Sequence, residues 1–100
     1  MVVQTVVMTC SQSDADAVEA ALIEVVDHVR IHEPGTPEYR VLRTDSAVSG
    51  AIFTTIEIFD SPASMDTHNA SEAVARFFER TEELLSAPPA VTVSTQVAAK

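Results

Sequence analysis

The stretch Thr55-Ile56-Glu57-Ile58-Phe59-Asp60-Ser61-Pro62-Ala63-Ser64-Met65-Asp66-Thr67-His68 changes its pattern midway. Up to Phe59 the residues are β-branched or aromatic apart from Glu57, the composition of a strand. Asp60-Ser61-Pro62 then breaks the run. Ser61 suits the N-cap of a helix and Pro62 its first position, where a missing N–H leaves no hydrogen bond unmade. The stretch is the end of a strand, a sharp turn and the start of a helix. Glu57 sits in a run that is otherwise apolar or β-prone, and His68 lies about two turns into the helix. An ionisable group where a core residue is expected needs a partner or a purpose.

Upstream, Val2 to Thr9 is apolar and β-branched almost throughout, without clean alternation. This predicts a first strand covered on both faces, either central in a sheet or against a second subunit. Ser11-Gln12-Ser13-Asp14 breaks it, with Ser11 or Ser13 as a candidate N-cap. Val18, Leu22, Val25, Val26 and Val29 then form one apolar stripe on a helix running to about His32, stopped by Pro34-Gly35. Tyr39 to Thr44 reads as a second strand and Ala51 to Phe59 as a third, joined by a short turn into an antiparallel hairpin. Downstream, Asn69-Ala70-Ser71 interrupts the helix and Ser71 can cap another. There Val74, Phe77, Phe78, Thr81, Leu84 and Leu85 keep the helical period until Pro88-Pro89. Val91 to Val97 alternates as a fourth strand.

The order β-α-β-β-α-β is the ferredoxin-like α+β plan, a four-stranded antiparallel sheet in a single domain spanning residues 1–100. Helices cover one face of such a sheet. The apolar residues of the other predict face-to-face packing against a second copy.

Composition narrows the partners. Fifteen acidic and six basic residues give a net charge of −9, which disfavours nucleic acid and anionic membrane surfaces. One cysteine, Cys10, precludes an internal disulfide, and with no signal-peptide pattern or membrane-length apolar run a cytoplasmic home is expected. No basic residue adjoins Cys10, which argues against a nucleophilic thiol. The chain holds two glycines and no Gly-rich phosphate loop or nucleophile elbow.

Three sets of residues remain as candidates for chemistry. Met65 and His68, three apart, share a helix face; His68 is either a packed, locally bonded histidine or a group lining a pocket. Thr55, Glu57 and Phe59 share a sheet face. Glu57 is either an exposed cross-strand partner of Arg40 or Arg43, or a pocket carboxylate able to orient an imidazole or accept a proton. His28 and His32 have the i, i+4 spacing of metal ligands, but no third ligand is signalled beyond Glu33; histidines near a helix C-terminus are favoured by the dipole alone. No metal site is expected.

Glu33-Pro34-Gly35, Tyr39, Glu57-Ile58-Phe59-Asp60 and His68-Asn69-Ala70-Ser71, in this order and on this plan, resemble the antibiotic biosynthesis monooxygenase domain over almost the whole chain. The resemblance implies a homodimeric α+β barrel that oxidises a small aromatic, a quinol or polyketide-like phenol, with O₂ and without metal or flavin cofactor. It implies catalytic roles for His68 and Glu57, with Tyr39, Phe59 and Met65 against the substrate. Other members of the fold isomerise small metabolites, degrade haem or have no assigned activity, so an isomerase or a non-catalytic small-molecule-binding dimer is the alternative. Phe59 stands where many members carry tryptophan, and strand one lacks the asparagine of the haem-degrading branch; both departures disfavour haem.

Overall fold

The structure, a computed structural model, describes residues 1–100. The elements are β1 (Val2–Cys10), α1 (Ala15–His32), β2 (Glu38–Ser46), β3 (Gly50–Phe59), α2 (Pro62–Asn69), α3 (Glu72–Thr81) and β4 (Ala90–Thr95), with one 3-10 turn at Gln12–Asp14 before α1. The strands form one antiparallel sheet in the order β2-β3-β1-β4. This is the ferredoxin-like α+β arrangement.

Parity along the strands decides what faces the helices. On β3, Ala51, Phe53, Thr55, Glu57 and Phe59 are buried, and on β1 so are Gln4, Val6, Met8 and Cys10. Val18, Leu22, Val25 and Val29 of α1, with Ala15 and Ala21, pack against them. Val26 is only half-buried; the alanines complete the stripe in its place. Phe53 is fully enclosed, and burying such a ring contributes about 1.5–3 kcal/mol. The opposite sheet face, bearing Val3, Val7, Leu42, Ile52, Ile56 and Ile58, has no helix over it. β1 is central, as expected, but in the single chain only one of its faces is covered.

Three boundaries differ from expectation. Neither Ser11 nor Ser13 caps α1 through its side chain; the 3-10 turn intervenes, and Asp14 takes the N-cap position without a side-chain cap bond. The β2–β3 hairpin is longer, its strands running to Ser46 and from Gly50. Gly50 adopts φ +78°, and a Cβ there would stand 2.3 Å from the Cys10 carbonyl oxygen, so glycine alone fits. Finally, α3 ends at Thr81, not at the prolines. The Thr81 hydroxyl donates to Phe77 O at 2.8 Å, and the Leu84 and Leu85 amides bond Thr81 O at 2.8 and 3.0 Å. Leu85 then bridges Cys10 at the sheet edge. The turn delivers both leucines to the core where a helix would have, and so its residues keep a helical period.

The helix starts after β3 agree with the sequence. Ser61 accepts from the Ser64 amide at 3.1 Å and Ser71 from the Val74 amide at 3.3 Å, with Pro62 in the first turn of α2. These caps set where α2 begins, and hence where His68 lands.

Candidate functional site

Register places three side chains in a row on the helix-covered face: Gln4 of β1, Glu57 of β3 and Tyr39 of β2 are successive cross-strand partners. Glu57 is 2% exposed. It is therefore not a surface partner for arginine. Arg43 stands opposite Phe53, bonded to Asp16, Glu19 and Asp45, and Arg40 projects from the other face opposite Ile56. A buried carboxylate must be bonded on both oxygens. Gln4 Nε2 donates to Glu57 Oε1 at 2.9 Å and Thr55 Oγ1 to Oε2 at 2.6 Å. Gln4 and Asn69 exchange amide hydrogen bonds of 3.0 Å in both directions.

His68, also 2% exposed, comes from the last turn of α2 and sits between two carboxylates. Its Nδ1 lies 2.8 Å from Glu33 Oε1 and its Nε2 3.2 Å from Glu57 Oε1. A neutral imidazole has one N–H and would turn a lone pair toward one carboxylate; the imidazolium donates to both. Burial alone lowers the His68 pKa, but Glu57 and then Glu33 outweigh it, and the net shift is upward. The C-terminal end of α2 favours the cation as well.

Glu33 caps the C-terminus of α1 and is itself buried. Its neighbour Gly35 allows this segment to reach α2. A Cβ on Gly35 would meet Ser64 Oγ at 2.2 Å, and Asp60 N bonds Gly35 O at 2.9 Å. The loop is thus clamped to the β3–α2 junction, with Glu33 directed at His68.

Tyr39 and Phe59 flank the imidazole, their ring centroids 5.3 and 5.5 Å from it. Burial first, and then the charges of Glu57 and Glu33, hold the Tyr39 hydroxyl well above the ordinary tyrosine pKa. It is a neutral phenol and a hydrogen-bond donor.

A cavity of about 230 Å³ opens beside this cluster. One wall is polar: Gln4, Tyr39, Thr55, Glu57, His68 and Asn69. The rest is apolar, with Val6, Met8, Leu22, Val25, Phe77 and Val91 among its residues. An apolar recess with a few convergent polar groups is the form of a small-molecule site.

The structure brings Glu57, His68 and Tyr39 together on the cavity wall. Phe59, fully buried, packs behind His68 and does not line the cavity, and Met65 is half-buried on α2 and also outside the lining. The His28 and His32 rings lie 5.0 Å apart, and no three His, Cys, Asp or Glu side chains are grouped to hold a metal ion. Cys10 is buried away from the cavity with its thiol pKa pushed up, chiefly by burial.

Gln4, Glu33 and Asn69 are site residues that the sequence reading did not single out as partners. Two carried a signal. Gln4 is an amide at the same parity as Val6 and Met8 in a β-branched run. Glu33 is an acid at a helix C-terminus, where the dipole disfavours it.

The sequence profile of the antibiotic biosynthesis monooxygenase family matches residues 1–80 of the chain. Among solved structures, a Mycobacterium tuberculosis protein superposes with a TM-score of 0.78 at 26% identity, covering 99% of this chain and 98% of that one. A candidate antibiotic biosynthesis monooxygenase from Nitrosomonas europaea superposes with a TM-score of 0.84 at 16% identity, covering 98% and 100%. Another from Deinococcus radiodurans gives 0.82 at 21%, covering 100% and 96%. The last two likenesses speak to the fold alone. No curated protein matches the chain.

Proposed function

The chain belongs to the antibiotic biosynthesis monooxygenase family, and from that premise we propose that its cavity oxidises a small electron-rich phenol or quinol with O₂, without metal or flavin. The observation that carries the reading is the buried row Gln4–Glu57–Tyr39, closed by His68, along one wall of an otherwise apolar cavity.

The geometry supports the following roles. Glu57 is the carboxylate facing the cavity, so Glu57 accepts the phenolic proton. His68 is the cation that faces Glu57 and offsets the charge developing nearby. Tyr39, kept neutral, donates to the substrate oxyanion, and Asn69 retains one N–H beyond its bond to Gln4. Phe59 acts by fixing the imidazole plane from behind. Met65, off the cavity wall, supports α2.

Deprotonation makes the substrate the reductant. Its anion gives one electron to O₂, and the radical pair combines into a peroxide at a ring CH carbon. Breaking the O–O bond, with loss of that hydrogen and return of a proton, leaves a carbonyl and releases water. One oxygen atom of O₂ enters the product and the other leaves as water. The apolar lining excludes bulk water from the anion.

A purely structural role predicts a filled interior around His68, and the cavity against Glu57 and His68 disfavours it; binding without catalysis predicts no turnover. The test is substrate loss across a panel of quinols with and without O₂. Turnover confined to the aerobic samples supports the proposal, and equal loss without O₂ refutes it.

We further infer that two copies pack through the face bearing Val3, Val7, Leu42, Ile52, Ile56 and Ile58. Four strands with one uncovered apolar face support this reading.

A further inference from the structure

Two side-chain oxygens in the molecule are buried without a hydrogen-bond partner: Glu33 Oε2 and Thr36 Oγ1. Both residues are at least nine-tenths buried, at 7% and 9% exposure. An orphaned buried oxygen costs about 1–3 kcal/mol, so two in one place call for an occupant.

Both residues line a recess of about 320 Å³, bounded by α1 and the loop to β2. Its rim includes the exposed Arg30, Pro34 and Pro37. Tyr39 belongs to this recess and to the substrate cavity, and so separates the two. Glu57 lines the cavity and not the recess, and Glu33 the recess and not the cavity; His68 joins them through its two nitrogens. Beyond Glu33, Oε2 lies 3.1 Å from Nε2 of the partly exposed His28, though the pair makes no aligned hydrogen bond.

We propose that Glu33 is a proton port: a buried carboxylate that exchanges protons between His68 and water admitted to the recess beside Thr36, on the side away from the substrate cavity. The recess runs beside both residues and is large enough for water, and a small opening of the loop would let water hydrogens reach both oxygens. In the outward direction His68 Nδ1 gives its proton to Glu33 Oε1, leaving a neutral imidazole and a neutral carboxyl. The carboxyl then turns to bring that proton to the recess side and releases it to water or to His28, and the inward direction reverses these steps. The titratable and charged groups around the port are His28, Arg30 and His32 of α1, Tyr39 of β2, Glu57 of β3 and His68 of α2. Such a port lets the site reload its proton while an apolar substrate fills the cavity. That kinetic consequence rests on the proposed oxidation; the exchange itself does not.

The experiment is nitrogen-15 NMR of the histidine side chains, reading exchange of the His68 Nδ1 proton with water. Glu33→Gln keeps the shape but cannot carry the proton, and is expected to slow exchange about tenfold or more, a smaller factor than loss of a direct acid–base group. His28→Gln combined with Thr36→Val leaves the Glu33–His68 contact in place, removes the His28 acceptor and takes away the hydroxyl that would hold water beside Glu33; it is expected to slow exchange as well. Glu57→Gln weakens the hold on the imidazolium but closes no exit on the recess side, and is expected to leave Nδ1 exchange no slower than in the parent. Unaltered exchange in the double variant, or exchange slowed by Glu57→Gln, overturns the port whether or not Glu33→Gln folds. A failure of quinol oxidation alone leaves these readings intact and counts only against the reaction.

Discussion

Gln4 and Glu57 are register partners on β1 and β3, and the Gln4 amide donates to the Glu57 carboxylate at 2.9 Å. The pairing of two central strands therefore holds the carboxylate in place, and the site inherits the rigidity of the sheet. Thr55, two residues along the same strand face, fixes the other oxygen.

Gln4→Leu tests that support. It removes the donor to Glu57 Oε1 and the reciprocal pair with Asn69, leaving His68 as the one remaining donor to that buried oxygen. The expected loss is about 1–3 kcal/mol in urea unfolding. A variant as stable as the parent would show that the bond is not made.

The two-carboxylate setting of His68 predicts a pH dependence of stability. The folded pKa is raised above its ordinary value near 6.5, so above that value the folded state holds a proton the unfolded chain has released. The stabilisation is complete at acidic pH and falls as pH rises from 6.5 through the folded pKa, at up to about 1.4 kcal/mol per pH unit. Tyr39, also raised, adds a second loss above its ordinary value of 10.0. Chemical denaturation from pH 5.5 to 9 measures the first window. His68→Gln is expected to flatten it, and an equally steep slope in that variant would contradict the ion-pair account.

Gly35→Ala should damage the site from a distance. Its methyl would overlap Ser64 Oγ, forcing apart the loop that carries Glu33 and the start of α2. The expected cost is about 1–3 kcal/mol, with the His68 titration moving toward 6.5 as Glu33 withdraws. An unmoved titration would separate the clamp from the histidine.

The element order, the sheet plan and the caps at Ser61 and Ser71 were legible because each follows from local chemistry: periodicity, proline and hydroxyl side chains. The end of α3 was not, because the Thr81 turn presents Leu84 and Leu85 to the core as a helix would. Half of the site was legible for the same reason. Glu57 and His68 violate a pattern, and a violation can be seen in one dimension. Which partner each would find could not be seen. Arg40 and Arg43 are both candidate neighbours of Glu57 until parity turns Arg40 to the other face and the register puts Gln4 and Tyr39, not Arg43, opposite it. The Glu33–His68 contact joins residues 35 apart in sequence, through a clamp that depends on Gly35.

The uncovered sheet face makes its own prediction. Ile56→Lys places a charge at its middle, next to Thr5 on β1 and Arg40 on β2. Sedimentation should show a dimer for the parent and a monomer for the variant, with the helix-covered core retained. A monomeric parent would remove the two-copy arrangement.

The most direct measurement of the central claim is turnover of a reactive quinol under ¹⁸O₂ by the parent and by Glu57→Gln. One labelled oxygen atom per product molecule is predicted for the parent, with the rate in the variant lower by about 10²–10⁴-fold, the usual loss of a general base. Product without label, or a Glu57→Gln enzyme as fast as the parent, would contradict it.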